Sequence, residues 1–143
     1  MTAFVADASV ASAWILPDED TAFADKMAEL MAEKGAVVPD LFWHEIRNVL
    51  LTSERQQRIH AEYSITALAR LSALPIETVS QGDSFAILQL ARRHGLTAYD
   101  AAYLALAIAK NLPLASLDKR VLAAGRAEGI SLPSAFAGGH DEL

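Results

Sequence analysis

The chain of 143 residues contains no cysteine. Disulfides and thiolate metal ligands are therefore excluded, and a reducing compartment fits. It lacks an apolar run of the about 20 residues that a bilayer-crossing helix needs. The stretch from Met1 to Asp7 has neither the basic region nor the apolar segment of a signal peptide. The expectation is a cytoplasmic protein with no membrane association. The closing His140-Asp-Glu-Leu143 spells a reticulum-retrieval signal, but with no expected entry into the secretory route it reads as coincidence. Known catalytic motifs are missing too: no Gly-rich phosphate loop ending in Gly-Lys-Ser/Thr, no Gly-x-Gly-x-x-Gly, no His-Glu-x-x-His and no Gly-x-Ser-x-Gly elbow. The four histidines are scattered, Ser9 has no evident base, and an aspartyl-nucleophile phosphatase would carry a second acid where Ser9 stands. No Gly/Ser/Pro tract or repeat divides the chain, so one domain over residues 1–134 is expected, with a frayed C-terminal tail at 135–143.

Cations are in short supply. The formal net charge is −6, the wrong sign for a protein that simply neutralises phosphates. Either the partner is no polyanion, or several acids are gathered in a site and neutralised by metal. Removing four acids from the 18 would bring them close to balance with the 12 basic residues. Arg47, Arg55, Arg58, Arg92, Arg93, Lys119 and Arg120 are then available to hold a nucleic-acid backbone.

What is present is a layered pattern. Ala3 to Ala6, Ala36 to Val38, Ile76 to Val79 and Leu114 to Ser116 read as short strands, with a final one at Ile130 to Leu132. Helices are predicted over Ser9–Leu16, from Asp18-Glu-Asp20 to Lys34, from Pro39-Asp40 to about Arg58, over Ala61–Leu74, about Asp83–Arg93 and Lys119–Ala127. The Leu96–Ala109 stretch carries one charge, Asp100, followed by nine consecutive apolar residues. Such a helix has no water-facing stripe and is expected to be buried. Strands alternating with helices predict an α/β domain, three layers deep, around a mainly parallel sheet. Sites in such sheets form beyond the carboxyl ends of the strands.

Four acids stand near such positions. Asp7 directly follows the first strand, and its structural alternative is a helix N-cap. Glu45 lies at the edge of an apolar stripe formed by Phe42, Ile46, Val49 and Leu50, with Asn48 on the same face; taken alone it reads first as an ordinary boundary glutamate. Thr97-Ala-Tyr-Asp100 matches a capping box, which accounts for Asp100 without catalysis. Asp118 follows the strand ending at Ser116 and could cap the last helix. No single acid decides the matter, but their joint placement would put hard oxygen donors around a divalent cation, which needs only a few carboxylates. Two such ions about 4 Å apart can clamp a phosphodiester for in-line displacement.

These segments resemble the PIN-domain family, and within it the VapC-type toxins of bacterial toxin–antitoxin pairs, over almost the whole chain from Phe4 to about Leu132. Val5-Ala-Asp7-Ala-Ser9 resembles the family's opening strand and first acid, and Glu45-Ile-Arg-Asn48 its Glu-x-x-Asn helix motif. Leu96 to Ala107 is the most specific match. Leu114-Ala-Ser116-Leu-Asp118-Lys-Arg resembles the strand with the fourth acid. The resemblance implies an endoribonuclease using Mg²⁺ or Mn²⁺ held among Asp7, Glu45, Asp100 and Asp118. Ser9, Asn48, Thr97 and Ser116 would be accessory residues. It also implies an RNA substrate such as tRNA or rRNA, a homodimer, and a VapB-like antitoxin whose tail enters the acidic groove. Two alternatives stand beside it: a non-catalytic PIN-like module that binds RNA or protein, and a nuclease directed at DNA.

Overall fold

The computed structural model describes residues 3–19, 21–80 and 82–133; the expected tail at 135–143 lies outside them. The apolar Phe4–Ala6 forms the first strand, β1, and is wholly buried. It is flanked by Ala36–Pro39 (β2) on one side and Leu114–Ala115 (β4) on the other, while Ile76–Val79 (β3) pairs with β2. The order is β3-β2-β1-β4 and each pairing is parallel. The register sets Val5 opposite both Val37 and Leu114. Strands buried on both faces read as continuous apolar runs, and β1 does so because helices flank the sheet.

Seven helices connect and cover the strands: α1 (Ala8–Ile15), α2 (Ala22–Lys34), α3 (Leu41–Arg55), α4 (Ala61–Ser72), α5 (Ser84–His94), α6 (Ala98–Lys110) and α7 (Lys119–Ala127). Helix α6 lies against β1, β2 and β4, with α5 and α7 beside it, whereas α1 packs with α2, α3 and α4. Five helices begin on a side chain that accepts a backbone N–H: Asp7, Thr21, Asp83, Thr97 and Asp118. Each cap relieves a donor that the first helical turn leaves without a partner. At the join of α2 and β2, Gly35 has φ +80° and a Cβ there would sit 3.2 Å from the Pro75 carbonyl oxygen, so glycine is required twice over.

Four sequence expectations need correction. The acids Asp18 and Glu19 lie in a 3-10 turn at Pro17–Glu19, and Thr21 is the residue that caps α2. Helix α3 stops at Arg55, because Gln57 takes φ +60°, outside helical space. Ile130 to Leu132 forms no strand; a lone backbone bond, Leu114 N–H to Ser131 O at 3.0 Å, links it to β4. Finally, α6 is not buried on every side. Leu104 is 0% exposed but Ile108 is 38% exposed, because the sheet covers one face of a helix in an outer layer and the far end opens to solvent. Accordingly Leu104→Ala should cost about 3 kcal/mol in urea unfolding, and Ile108→Ala less than about 1 kcal/mol; equal losses would mean that α6 is enclosed all round.

Candidate metal-binding acidic site

Parallel pairing brings the carboxyl ends of β1, β2 and β4 to one edge of the sheet, and the chain leaves each of them into a loop or helix bearing an acid. Asp7 is the first residue past β1 and is 5% exposed. Its Oδ1 accepts the Ser9 N–H at 3.1 Å and the Ser9 hydroxyl at 2.5 Å. Burial pushes the carboxyl up to about 6. Hydrogen bonds from the Ser116 and Ser9 side chains, then from the Val10 and Ser9 backbone, offset only part of the desolvation.

Glu45 sits on the second turn of α3 and is half-buried. Its Oε1 accepts a very short hydrogen bond from the Tyr103 phenol. Its pKa is raised, first by desolvation, against the help of the Tyr103 bond, and further by the negative charge of Asp100. Tyr103 in turn is held strongly protonated by burial, by its bond to Glu45 and by the charges of Glu45 and Asp7, while the Ala8 N–H donates to its oxygen. The phenol therefore lies between Asp7 and Glu45, and Asp100 is felt by the group through its charge on Glu45.

Asp118 stands differently. Its Oδ1 accepts the Arg120 N–H at 2.9 Å as the cap of α7, with the Arg120 guanidinium 4.0 Å away. Its connection to Asp7 runs through hydroxyls: Ser116 Oγ accepts the Asp118 N–H, and Ser9 Oγ accepts the Leu117 N–H, both at 3.0 Å. Ser9 thus ties the β1–α1 junction to the loop after β4. Thr97 caps α6 by accepting the Asp100 N–H at 3.1 Å, and no reciprocal bond from the Asp100 carboxylate accompanies it among the described residues. The capping box is half formed, which leaves the Asp100 carboxylate to other work. Asn48 is exposed and shares a groove with Glu45.

Among the described residues no three His, Cys, Asp or Glu side chains are placed to hold one metal ion together. The donor chemistry nevertheless fits a hard divalent cation. Mg²⁺ keeps several waters and takes one or two carboxylates, and here the carboxylates of Glu45 and Asp100 repel each other while Asp7 is desolvated. A cation would relieve both costs. A concavity of ≈ 700 Å³ between α5, α6 and the end of β3 contains none of the four acids; it is mostly apolar and offers no comparable chemistry.

Tyr103 is the residue that sequence reasoning missed. It lies three positions after Asp100 on α6, hence on the same helical face. That spacing was the available signal.

A family model described as PIN domain matches residues 4–127. The crystal structure of PAE2754 from Pyrobaculum aerophilum is similar to this chain at 25% sequence identity and a TM-score of 0.70, covering 99% of this chain and 91% of that one. No curated protein matches the chain.

The raised carboxyl of Asp7 has a measurable consequence. Because its native pKa of about 6 exceeds the ordinary 3.8, the folded state binds the extra proton between those values. Stability in chelator should therefore fall as pH rises from about 4 to 6, by up to about 3 kcal/mol, and stay low above that. Asp7→Asn keeps a good N-cap and should abolish this fall, becoming the more stable protein at pH 7.5. Denaturant melts of both proteins across the range check it: parallel curves would show that Asp7 is not desolvated.

Proposed function

Given that the chain belongs to the PIN domain family, a family of nucleases, we propose that it is a metal-dependent endoribonuclease that hydrolyses RNA phosphodiester bonds. In this reading residues 1–134 make one catalytic domain that acts as the toxin of a toxin–antitoxin pair in the cytoplasm. Its partners are a VapB-like antitoxin and a second copy of the chain, and its substrate is an RNA of the tRNA or rRNA class. The observation that carries the chemistry is the linkage of Glu45 to Asp7 through the Tyr103 phenol, with the charge of Asp100 felt at Glu45. A bound cation would offset the cost of holding these carboxylates there. The toxin role rests on the similarity of the four acidic motifs to VapC-type proteins.

Asp7 and Asp100 are the direct ligands of Mg²⁺ or Mn²⁺ in this proposal, and Glu45 and Asp118 complete a second site or bind through water. An ion held there would supply a more acidic water and charge stabilisation for the 3′-oxygen that leaves. The protein's own residues do the positioning. Ser9 and Ser116 hold Asp7, and the Tyr103 O–H engages one oxygen of Glu45, leaving the other as its acceptor. Orienting partners of this kind set metal affinity and activity. Thr97 fixes the start of α6 and with it Asp100.

RNA should be cleaved with Mg²⁺ or Mn²⁺, and cleavage should be lost in both Asp7→Asn and Asp100→Asn; activity persisting in both folded variants removes the metal-site assignment. The competing reading, a non-catalytic PIN-like module, requires no Mn²⁺ binding by calorimetry and no cleavage of any RNA pool. Cleavage of DNA as well as RNA would favour the broader nuclease. Asp100→Ala separates ligand from cap. As a cap it would cost about 1 kcal/mol; as a ligand it should cost little stability in metal-free buffer and abolish cleavage.

A further inference from the structure

Helix α5 is fastened to the rest of the molecule chiefly through α6, and its last turn has a second anchor. Glu128, the residue that ends α7, accepts from both Arg93 and His94 through a single oxygen, Oε2, each at 2.7 Å. The His94 and Glu128 side chains are only 14% and 18% exposed, so this clasp is better shielded than an ordinary surface pair. The two donors, His94 first, hold the Glu128 carboxyl below the usual carboxylate range.

What the clasp holds is the corner that leads into α6. Gly95 closes α5 with φ +64°, the left-handed conformation that glycine adopts most readily. The Leu96 N–H then returns to the Ala91 carbonyl at 3.0 Å, and the Leu96 side chain is buried. Thr97 follows at once as the cap of α6. Asp100 lies in the first turn of that helix, ahead of the packing that secures it. Thr97, Ala98 and Tyr99 are exposed, and the fully buried positions begin at Ala101. N–H groups in a first turn have no intrahelical partners, so the aim of the Asp100 carboxylate depends on Thr97 and on the corner before it.

We propose that Glu128 is a positioning residue for Asp100: it clamps the end of α5 to α7 and so fixes the turn from which the Asp100 carboxylate reaches a cation. This rests on the metal reading of the acidic site. Glu128 itself touches neither ion nor substrate. The clasp couples α7, which begins on Asp118, to the corner before Asp100, and so sets two of the four acids relative to one another.

The test compares Glu128→Ala, Glu128→Gln and Leu71→Val in the full chain. Leu71 is buried in α4, a helix that packs with α1 and α3, and its variant reports lost stability alone. Mn²⁺ binding by calorimetry should weaken about tenfold in Glu128→Ala, as for other residues that orient a metal ligand. It should weaken less in Glu128→Gln, whose amide oxygen can still accept one bond, and stay unchanged in Leu71→Val. In the metal-free proteins, amide exchange at Asp100 and Ala101 should quicken in Glu128→Ala while Leu104 keeps its protection. Unchanged Mn²⁺ affinity in Glu128→Ala, or a loss matched by Leu71→Val, makes the clasp an ordinary fastening of α5 and overturns the proposal. So does exchange that quickens evenly along α6. Wild-type protein that binds no Mn²⁺ defeats the metal reading and the proposal with it, a result distinct from either.

Discussion

The desolvated carboxylate of Asp7 is the constraint around which this structure is arranged. It sits where the buried strand β1 ends, with only serine hydroxyls and backbone N–H groups to solvate it. Burying a charge without an opposite charge is among the most unfavourable things a fold can do. Glu45 is linked to it through Tyr103, and the repulsion between Glu45 and Asp100 is visible in the raised pKa of Glu45. The parallel sheet makes this unavoidable once acids follow β1 and β4 and one lies in the helix after β2, because all three strand ends face the same way. The fold supplies hydrogen-bond donors from Ser9, Ser116 and Tyr103, and among the described residues no arginine or lysine pairs with Asp7 or Glu45. The shortage of positive charge is thus local as well as global.

The architecture was legible because its signals are short-range. Strands of three or four apolar residues, Gly35 and Gly95 after helices, and capping residues before them are read one element at a time, and the parallel sheet follows from their alternation. The errors fell where tertiary context decides. Asp18 and Glu19 resemble the first turn of a helix, but Thr21 offers the better cap and the acids go into the turn before it. Ile130 to Leu132 has strand composition, yet it makes one bond to β4 where a ladder would need several. The four acids could be named from their strand-end and helix-start positions together with the family motifs around them. Their relation to one another could not, because Tyr103 joins Glu45 to Asp7 across 58 and 96 residues of sequence respectively.

The composition of α6 explains how such a junction is held in place. Ala101, Ala105 and Ala107 are buried, and α6 packs against three of the four strands. Small side chains let a helix approach a sheet closely, so the axis has little room to shift. Leu104 anchors the same helix in the core, and Thr97 fixes its first turn. Asp100 and Tyr103 therefore leave a rigid support one turn apart. Sites carried on regular elements are more accurately positioned than sites on loops. The apolar run that first looked like a helix with one awkward charge is better understood as a mount whose buried face sets where that charge can go.

Helix α1 obeys the opposite logic. It is short, it begins on a strongly desolvated acid, and it buries a serine hydroxyl with no partner among the described residues. Both conflicts cost stability, and the helix's own Ser9 and Val10 donors offset only part of the first. Natural folds tolerate such conflicts chiefly where function requires them, and Ser9, which donates to Asp7, lies in the groove beside Glu45. Elsewhere in the described residues the buried polar side chains are accommodated internally, as Ser116 is by the Asp118 N–H. The unfavourable terms are thus concentrated on one short helix, against a well-capped and well-packed remainder.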